Sequence, residues 1–288
     1  MVETKIVMKR LLILLAILSL VVLPAGAFGF KWKSVPVDAS RTGVRCPSAD
    51  NVSETMGRMQ GRTYIAPNGR AFKGNSATAK VAKLMLDAQP GMASVKEVIG
   101  FCPKGLERGG TENVLGDWAI DILMAETEKE TGRKVDFGVL NHGGIRIDMP
   151  QGEVLMDDLM SMFPFKNYLC YLTMKGSEVR SLFESMASYV AVVGGVKVTV
   201  KDGKLVELLI DGEPLDDDKL YGLATIDFLV TGGDNIFTGR QFEETIQTEE
   251  LVFDAILSHV RELTAAGKPI DCERDGRVVD LTEKTRRN

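Results

Sequence analysis

Two Asp-Gly dipeptides, Asp202-Gly203 and Asp211-Gly212, constrain this chain more than any other local feature. The first lies between the apolar-rich segments Val196–Val200 and Lys204–Ile210. Asp-Gly tolerates positive φ at both central positions of a tight turn, so the flanking segments pair as an antiparallel hairpin. A sheet made only of parallel strands is thereby excluded. Elsewhere the apolar period is helical. Val81, Leu84, Met85 and Ala88 mark one helix, stopped by Pro90-Gly91. Val114, Leu115, Trp118, Ala119, Ile122 and Leu123 trace one face of a second, with Gly132 past its end. Val179, Leu182, Phe183 and Met186 mark a third, and Ile256, Val260 and Leu263 a last one over 251–263. Strands are expected at Val95–Phe101, Val135–Leu140, Tyr168–Met174 and Leu220–Ile226, and a short helix at Leu155–Phe163. The expected class is α+β, a mixed β-sheet with flanking helices.

The N-terminus carries a different signal. Lys5, Lys9 and Arg10 precede a continuous apolar run, Leu11–Leu23, broken only by Ser19, and Ala25-Gly26-Ala27 follows. That order describes a secretory signal peptide over 1–27, too short for a comfortable membrane span, with an uncleaved anchor as the alternative. The expectation is an exported protein, periplasmic or at the cell surface, with no membrane segment after cleavage. Residues 28–75, rich in Gly, Ser, Asn, Arg and Pro, read as a loop-rich N-terminal arm. A short strand at Arg62–Ala66 and a turn at Pro67-Asn68-Gly69 interrupt it. The main domain is expected over 76–281 and a frayed tail over 282–288. Four cysteines, Cys46, Cys102, Cys170 and Cys272, leave three disulfide pairings open. Cys170, in an apolar strand-like run, reads as a buried thiol. A formal net charge of −5 argues against nucleic acid as a partner, which would require a basic face.

Little in the chain offers catalysis. It has two histidines, His142 and His259, far apart in sequence. A two-metal phosphoesterase holds several His and carboxylate ligands close together. Neither a catalytic residue nor a metal ligand is therefore expected here. Three segments are suited to binding. Asn141-His-Gly-Gly-Ile-Arg146 follows an apolar strand. Its glycines, Gly143 and Gly144, let backbone N–H groups approach a ligand, and Arg146 offers a planar fork for oxyanions. A plain strand-to-loop turn with a local ion pair has the same appearance. Phe165, after Pro164, and Phe228, before Thr231-Gly-Gly-Asp234, lie next to loops. Two such rings stack a flat base, or else are ordinary core residues. Asp234 accepts hydrogen bonds from sugar hydroxyls, or caps its own loop as an Asx-turn.

Taken in order, these segments resemble the C-terminal, substrate-binding domain of the 5'-nucleotidase family. The resemblance runs from about Val95 to about Ile270 and includes Glu112-Asn-Val-Leu-Gly-Asp117, similar to the family's Glu-x-x-x-Gly-Asn pattern. It implies that Asn141, Gly143, Gly144 and Arg146 contact the nucleotide, that Phe165 and Phe228 clamp the base, and that Asp234 holds the ribose. His142 stands where the family often has Gly and is expected to decorate the loop. The family often has an Arg three residues before the Glu. Here Gly109 takes that position, with Arg108 one step earlier, which puts one phosphate contact in doubt. The family's metallophosphoesterase domain has no counterpart in the short, His-poor arm. The resemblance thus implies the nucleotide-recognition half of an exported split 5'-nucleotidase. A separate metallophosphoesterase partner chain would carry the divalent metals and hydrolyse the phosphate. A non-catalytic nucleoside or nucleotide binding protein is the alternative. A relic fold with a dead pocket is disfavoured by retention of both Phe, the Arg and the Asp.

Overall fold

The computed structural model of the chain describes residues 52–282. The expected signal peptide, Cys46 and nearly all of the expected tail lie outside them. The chain divides into two compact units, Met1–Gly74 and Asn75–Asn288. In the first, a single turn, Val52–Thr55, precedes an antiparallel sheet of β1 (Arg58–Gln60), β2 (Thr63–Ile65) and β3 (Ala71–Lys73). The expected strand near Tyr64 is present. The end of the arm is nevertheless a three-stranded meander and not an irregular loop. Tyr64, buried, stacks on Phe72 at 5.9 Å and donates its hydroxyl to the Met56 carbonyl.

The second unit opens with α1 (Ala77–Ala88), capped by Ser76, whose hydroxyl accepts from the Ala79 N–H. A 3-10 segment, Gln89–Lys96, leads to β4 (Val98–Cys102), which pairs with β6 (Gly152–Leu155). The longest helix is α2 (Val114–Thr131). Asn113 caps its first turn, and Gly132, at φ 63°, ends it in the left-handed conformation. The single apolar face expected for α2 proves too narrow. Ile120, Asp117 and Thr127 are buried as well, because the helix packs on the sheet on one side and on α6 (Val252–Ala265) on the other.

The central sheet has five strands in the order β13 (Glu244–Leu251), β7 (Tyr168–Lys175), β12 (Leu220–Ile226), β5 (Phe137–Leu140) and β8 (Val192–Gly194). β12 and β5 run parallel, and every other neighbouring pair is antiparallel. A second sheet joins β9 (Val196–Lys201), β10 (Lys204–Ile210), β11 (Glu213–Pro214) and β14 (Val278–Asp280). Both Asp-Gly turns form as expected. Asp202 and Gly203 have φ of 50° and 70°, and Asp211 and Gly212 of 56° and 77°, each closing a hairpin.

This topology gathers distant sequence. β12 and β5 are parallel, so their C-terminal ends share one edge of the sheet. β7 is antiparallel to β12, so its N-terminal end reaches the same edge. Three loops therefore emerge side by side: the one after β5, the one before β7, and the one after β12. The last opens with the short helix α5 (Asp227–Val230), while α3 (Met156–Met162) leads into the second loop. The fourth helix in chain order, α4 (Gly176–Ser185), follows β7 and buries Val179, Leu182 and Phe183. One expectation about packing fails. The apolar residues of α1 form a helix but are not core, since Val81, Leu84 and Met85 are all exposed and only Ala79 is buried. Among the described residues no helix is long and apolar enough to cross a membrane.

Candidate functional site

All seven residues singled out in the sequence line one cleft, of about 230 Å³, at the shared sheet edge. Asn167, which the sequence reading left out of the site, completes the lining. Asn141 is the first residue beyond β5 and is 8 % exposed. Its Nδ2 donates to Asp234 Oδ2 at 2.6 Å. A carboxylate only accepts, so this bond fixes the orientation of the amide. Asn141 Oδ1 is then left buried with no hydrogen-bond partner. An unpaired buried acceptor costs about 1–3 kcal/mol, which a donor on a ligand would recover.

His142–Gly144 form a single 3-10 turn, and a Cβ at Gly144 would stand 2.9 Å from Asn141 Oδ1. Glycine there leaves room for the Asn141 amide. Arg146 donates from Nη1 to the Gly143 carbonyl, and its backbone N–H bonds the Met162 carbonyl at the end of α3. Its guanidinium lies over the Phe165 ring at 5.9 Å, near the outer limit of a cation–π contact. The guanidinium thus lies toward one face of that ring and still lines the cleft.

Phe165 and Phe228 are 46 % and 42 % exposed, so neither is a core residue. Phe228 rests on the chain at Gly233, where a Cβ would come within 2.4 Å of the ring. Asp227 Oδ1 accepts from the Phe228 N–H at 2.8 Å and from the Tyr168 N–H at 3.2 Å. One carboxylate thus ties the start of β7, just after the Phe165 loop, to the turn that carries Phe228. Asp234 has φ 50° and the next residue, Asn235, φ 57°. The left-handed conformation costs a non-glycine residue roughly 1–2 kcal/mol. Asp and Asn are the non-glycine residues that adopt this conformation most readily, so both suit the turn.

His142 does more than decorate its loop. Asn113 Oδ1 accepts from the Gly116 N–H, which turns Asn113 Nδ2 toward His142 Nδ1 at 3.3 Å. His142 Nε2 meets the Val190 carbonyl at 2.8 Å. With a donor on one nitrogen and an acceptor on the other, the ring is the Nε2–H tautomer, and both nitrogens serve the framework. The Glu112–Asp117 segment has the same character. Glu112 Oε1 accepts from the N–H groups of Asp275 and Gly276, and Gly116 leaves room for Val192, 2.8 Å from where a Cβ would lie. Asp117 is 2 % exposed, its Oδ1 is 3.9 Å from Arg277 Nε, and its Oδ2 has no partner. Burial pushes this carboxyl up to about 7; Arg277 opposes the shift, and Glu112, Asp275 and Asp121 add to it.

Arg108 is not in the cleft. Its Nε bonds Asp148 Oδ1 at 3.1 Å and its Nη1 the Ile145 carbonyl at 3.1 Å, so it braces the Asn141–Arg146 loop from behind. The backbone N–H of Arg108 is the main reason the Asp148 carboxyl is held below its ordinary value. Cys102, Cys170 and Cys272 are free thiols. Burial pushes Cys170 up to about 12, with the charge of Asp227 adding to it. Among the described residues no group of three or more His, Cys, Asp or Glu is placed to hold a metal ion. The described residues do not fit a two-metal hydrolytic site.

A family model described as "5'-nucleotidase, C-terminal domain" matches residues 87–240. Protein UshA of Escherichia coli is 35 % identical over 119 residues, which cover 39 % of this chain and 21 % of UshA. The 5'-nucleotidase of Vibrio cholerae is 33 % identical over 119 residues, again 39 % of this chain and 21 % of the relative. The matched region spans about a fifth of the length of these curated relatives. A solved structure of a 5'-nucleotidase precursor from Thermus thermophilus superposes with a TM-score of 0.63 at 23 % identity. That match covers 77 % of this chain and 46 % of that one, and it bears on the fold alone.

Proposed function

This chain belongs to the 5'-nucleotidase C-terminal domain family, and from that premise we propose that it is the nucleotide-recognition half of a split, exported 5'-nucleotidase. The observation that carries the reading is the pair of half-exposed rings, Phe165 and Phe228, in one cleft with Asn141, Arg146 and Asp234. A base between the rings gains roughly 1–3 kcal/mol per ring face. Asp234 accepts from ribose hydroxyls, the unpaired Asn141 Oδ1 takes a donor from the ligand, and Arg146 faces the phosphate. The phosphate is cut by divalent metals on a separate metallophosphoesterase chain. The basic, apolar, small-residue order of residues 5–27 supports export.

Titration with adenosine and AMP, followed by AMP hydrolysis with and without a candidate metallophosphoesterase, tests this. Saturable binding is expected, weakened by Phe228→Ala by about 1–3 kcal/mol with the melting temperature moved by only a few degrees. Turnover is expected only with the partner present. Binding without turnover in any combination would favour a nucleoside or nucleotide binding protein with no catalytic role. Metal-dependent turnover by the pure chain at roughly 1 per second or above would overturn the split-enzyme reading.

A further inference from the structure

A second cavity, of about 550 Å³, adjoins the cleft and shares Asn141, Gly143 and Asp234 with it. Of these three, Asp234 is the residue assigned above to the ribose. Arg146, assigned to the phosphate, lines only the first cleft. The two spaces therefore meet at the ribose and not at the 5' end of the ligand.

The far wall of the second cavity is an aromatic platform. Tyr189 is 72 % exposed, and its ring lies 4.9 Å from that of His142, tilted by 53°. His142 is itself locked by Asn113, 4 % exposed, and by the Val190 carbonyl, next in the chain to Tyr189. Tyr189 is further held through its own N–H to the Met186 carbonyl. A large aromatic ring that is mostly in water, yet fixed by a half-buried, hydrogen-bonded histidine, has no role in the core. Met186 and Ile236 give the cavity an apolar floor and Ser188 a polar rim. A flat heterocycle with a polar edge suits such a space.

We propose that this cavity is a subsite for a second nucleoside joined through the ribose 3' oxygen of the first, so that the chain binds 3'-linked ribodinucleotides. The inference rests on the nucleotide reading of the first cleft. The first base lies between Phe165 and Phe228. Its free 2'-hydroxyl donates to Asp234. The linking phosphate passes the Asn141–Gly143 wall, and the second base stacks on Tyr189.

The test uses adenylyl-(3'→5')-adenosine and adenosine 3'-monophosphate, which share the first nucleoside and its 3' phosphate and differ in the second nucleoside and in the second ionisable oxygen of the monoester. The dinucleotide is expected to bind the full chain roughly tenfold more tightly, within the range of one stacked base. Tyr189→Ala should remove that advantage and leave the mononucleotide unchanged; an exposed side chain leaves folding intact. Phe228→Ala should weaken both ligands. The deoxyribose dinucleotide, lacking the 2'-hydroxyl, should bind less well. Equal affinity for the two ligands, or an advantage that survives Tyr189→Ala, overturns the proposal. So does a Tyr189-dependent gain for a 5'–5' linked diadenosine diphosphate in place of the 3'-linked compound. If 5'-AMP and adenosine also fail to bind, it is the nucleotide reading itself that has failed.

Discussion

Replacing Gly233 by alanine adds one methyl group to the wall of the cleft. Its carbon would stand 2.4, 2.5 and 2.6 Å from three atoms of the Phe228 ring. Ordinary carbon–carbon contact lies near 3.5–4.0 Å, so the ring must retreat by about 1 Å or more. Gly233 does not have a positive φ, so the backbone accepts alanine without strain. Phe228 is 42 % exposed and has solvent to move into. The cost to stability is therefore within about 1 kcal/mol. Binding is affected differently. A ring displaced by about 1 Å leaves its place on the base and forfeits up to the value of one stacked contact, roughly 1–3 kcal/mol. Calorimetric titration of adenosine should show a loss of roughly 5- to 150-fold. Because the methyl acts only through the ring, Gly233→Ala should add nothing on a Phe228→Ala background. Wild-type affinity in Gly233→Ala, or a full second loss in the double variant, would refute the view that Phe228 must lie flat on Gly233 to bind.

Two further outcomes follow from described contacts. Asp227→Ala removes the acceptor shared by the Tyr168 and Phe228 N–H groups and should weaken adenosine binding several-fold. Asp227→Asn keeps an acceptor oxygen and should restore most of it; equal loss in both variants would mean that the charge, not the bridge, matters. Asp117 gives a pH dependence with a definite sign. Its carboxyl rises from 3.8 to about 7 on folding, so its contribution to stability is full below about 3.8 and is lost as pH rises through about 7. The melting temperature should fall between about pH 4 and 7 and level off above, and Asp117→Asn should flatten that slope. A wild-type slope in the variant would assign the effect to other groups.

Much of the fold was legible because its apolar pattern is strong. The segments later seen as β5, β7, β12, α2 and α6 are nearly continuous or regularly spaced apolar runs, and the Asp-Gly turns state their own conformation. What was missed has little apolar content. β13, Glu-Thr-Ile-Gln-Thr-Glu-Glu-Leu, is an edge strand whose alternate residues face solvent, so Glu and Thr hide its period. β6, β8 and β14 are too short to show a period. The strand expected from Val95 starts at Val98, because a 3-10 segment occupies the residues before it. α1 shows the opposite limit: helical spacing identifies a helix but does not bury it.

At the site, the seven expected residues converge on one cleft because their segments carry a recognisable family pattern. Asn167, Asp227, Gly233 and Tyr189 were not singled out. Gly233 lies within Thr231–Asp234 and Asn167 two residues after Phe165, but their roles depend on contacts across the sheet edge that spacing does not record. Tyr189 lies in a loop without a motif, and only its contact with His142 draws notice to it.

The neighbouring placement of β7 and β12 has a consequence for how such clefts diversify. The two aromatic jaws hang from adjacent rungs of one hydrogen-bonded ladder, where Leu169 pairs with Ile226. Strands in a ladder stand about 4.8 Å apart whatever their side chains, so the ladder works as a caliper with a fixed hinge. Substituting either jaw changes what is gripped without resetting the caliper. A residue inserted or deleted between Phe165 and Tyr168, or between Ile226 and Phe228, would reset its gap at the hinge, as a larger residue at Gly233 does at the ring, and such a change would show as altered tolerance for ligand thickness and not as lost folding.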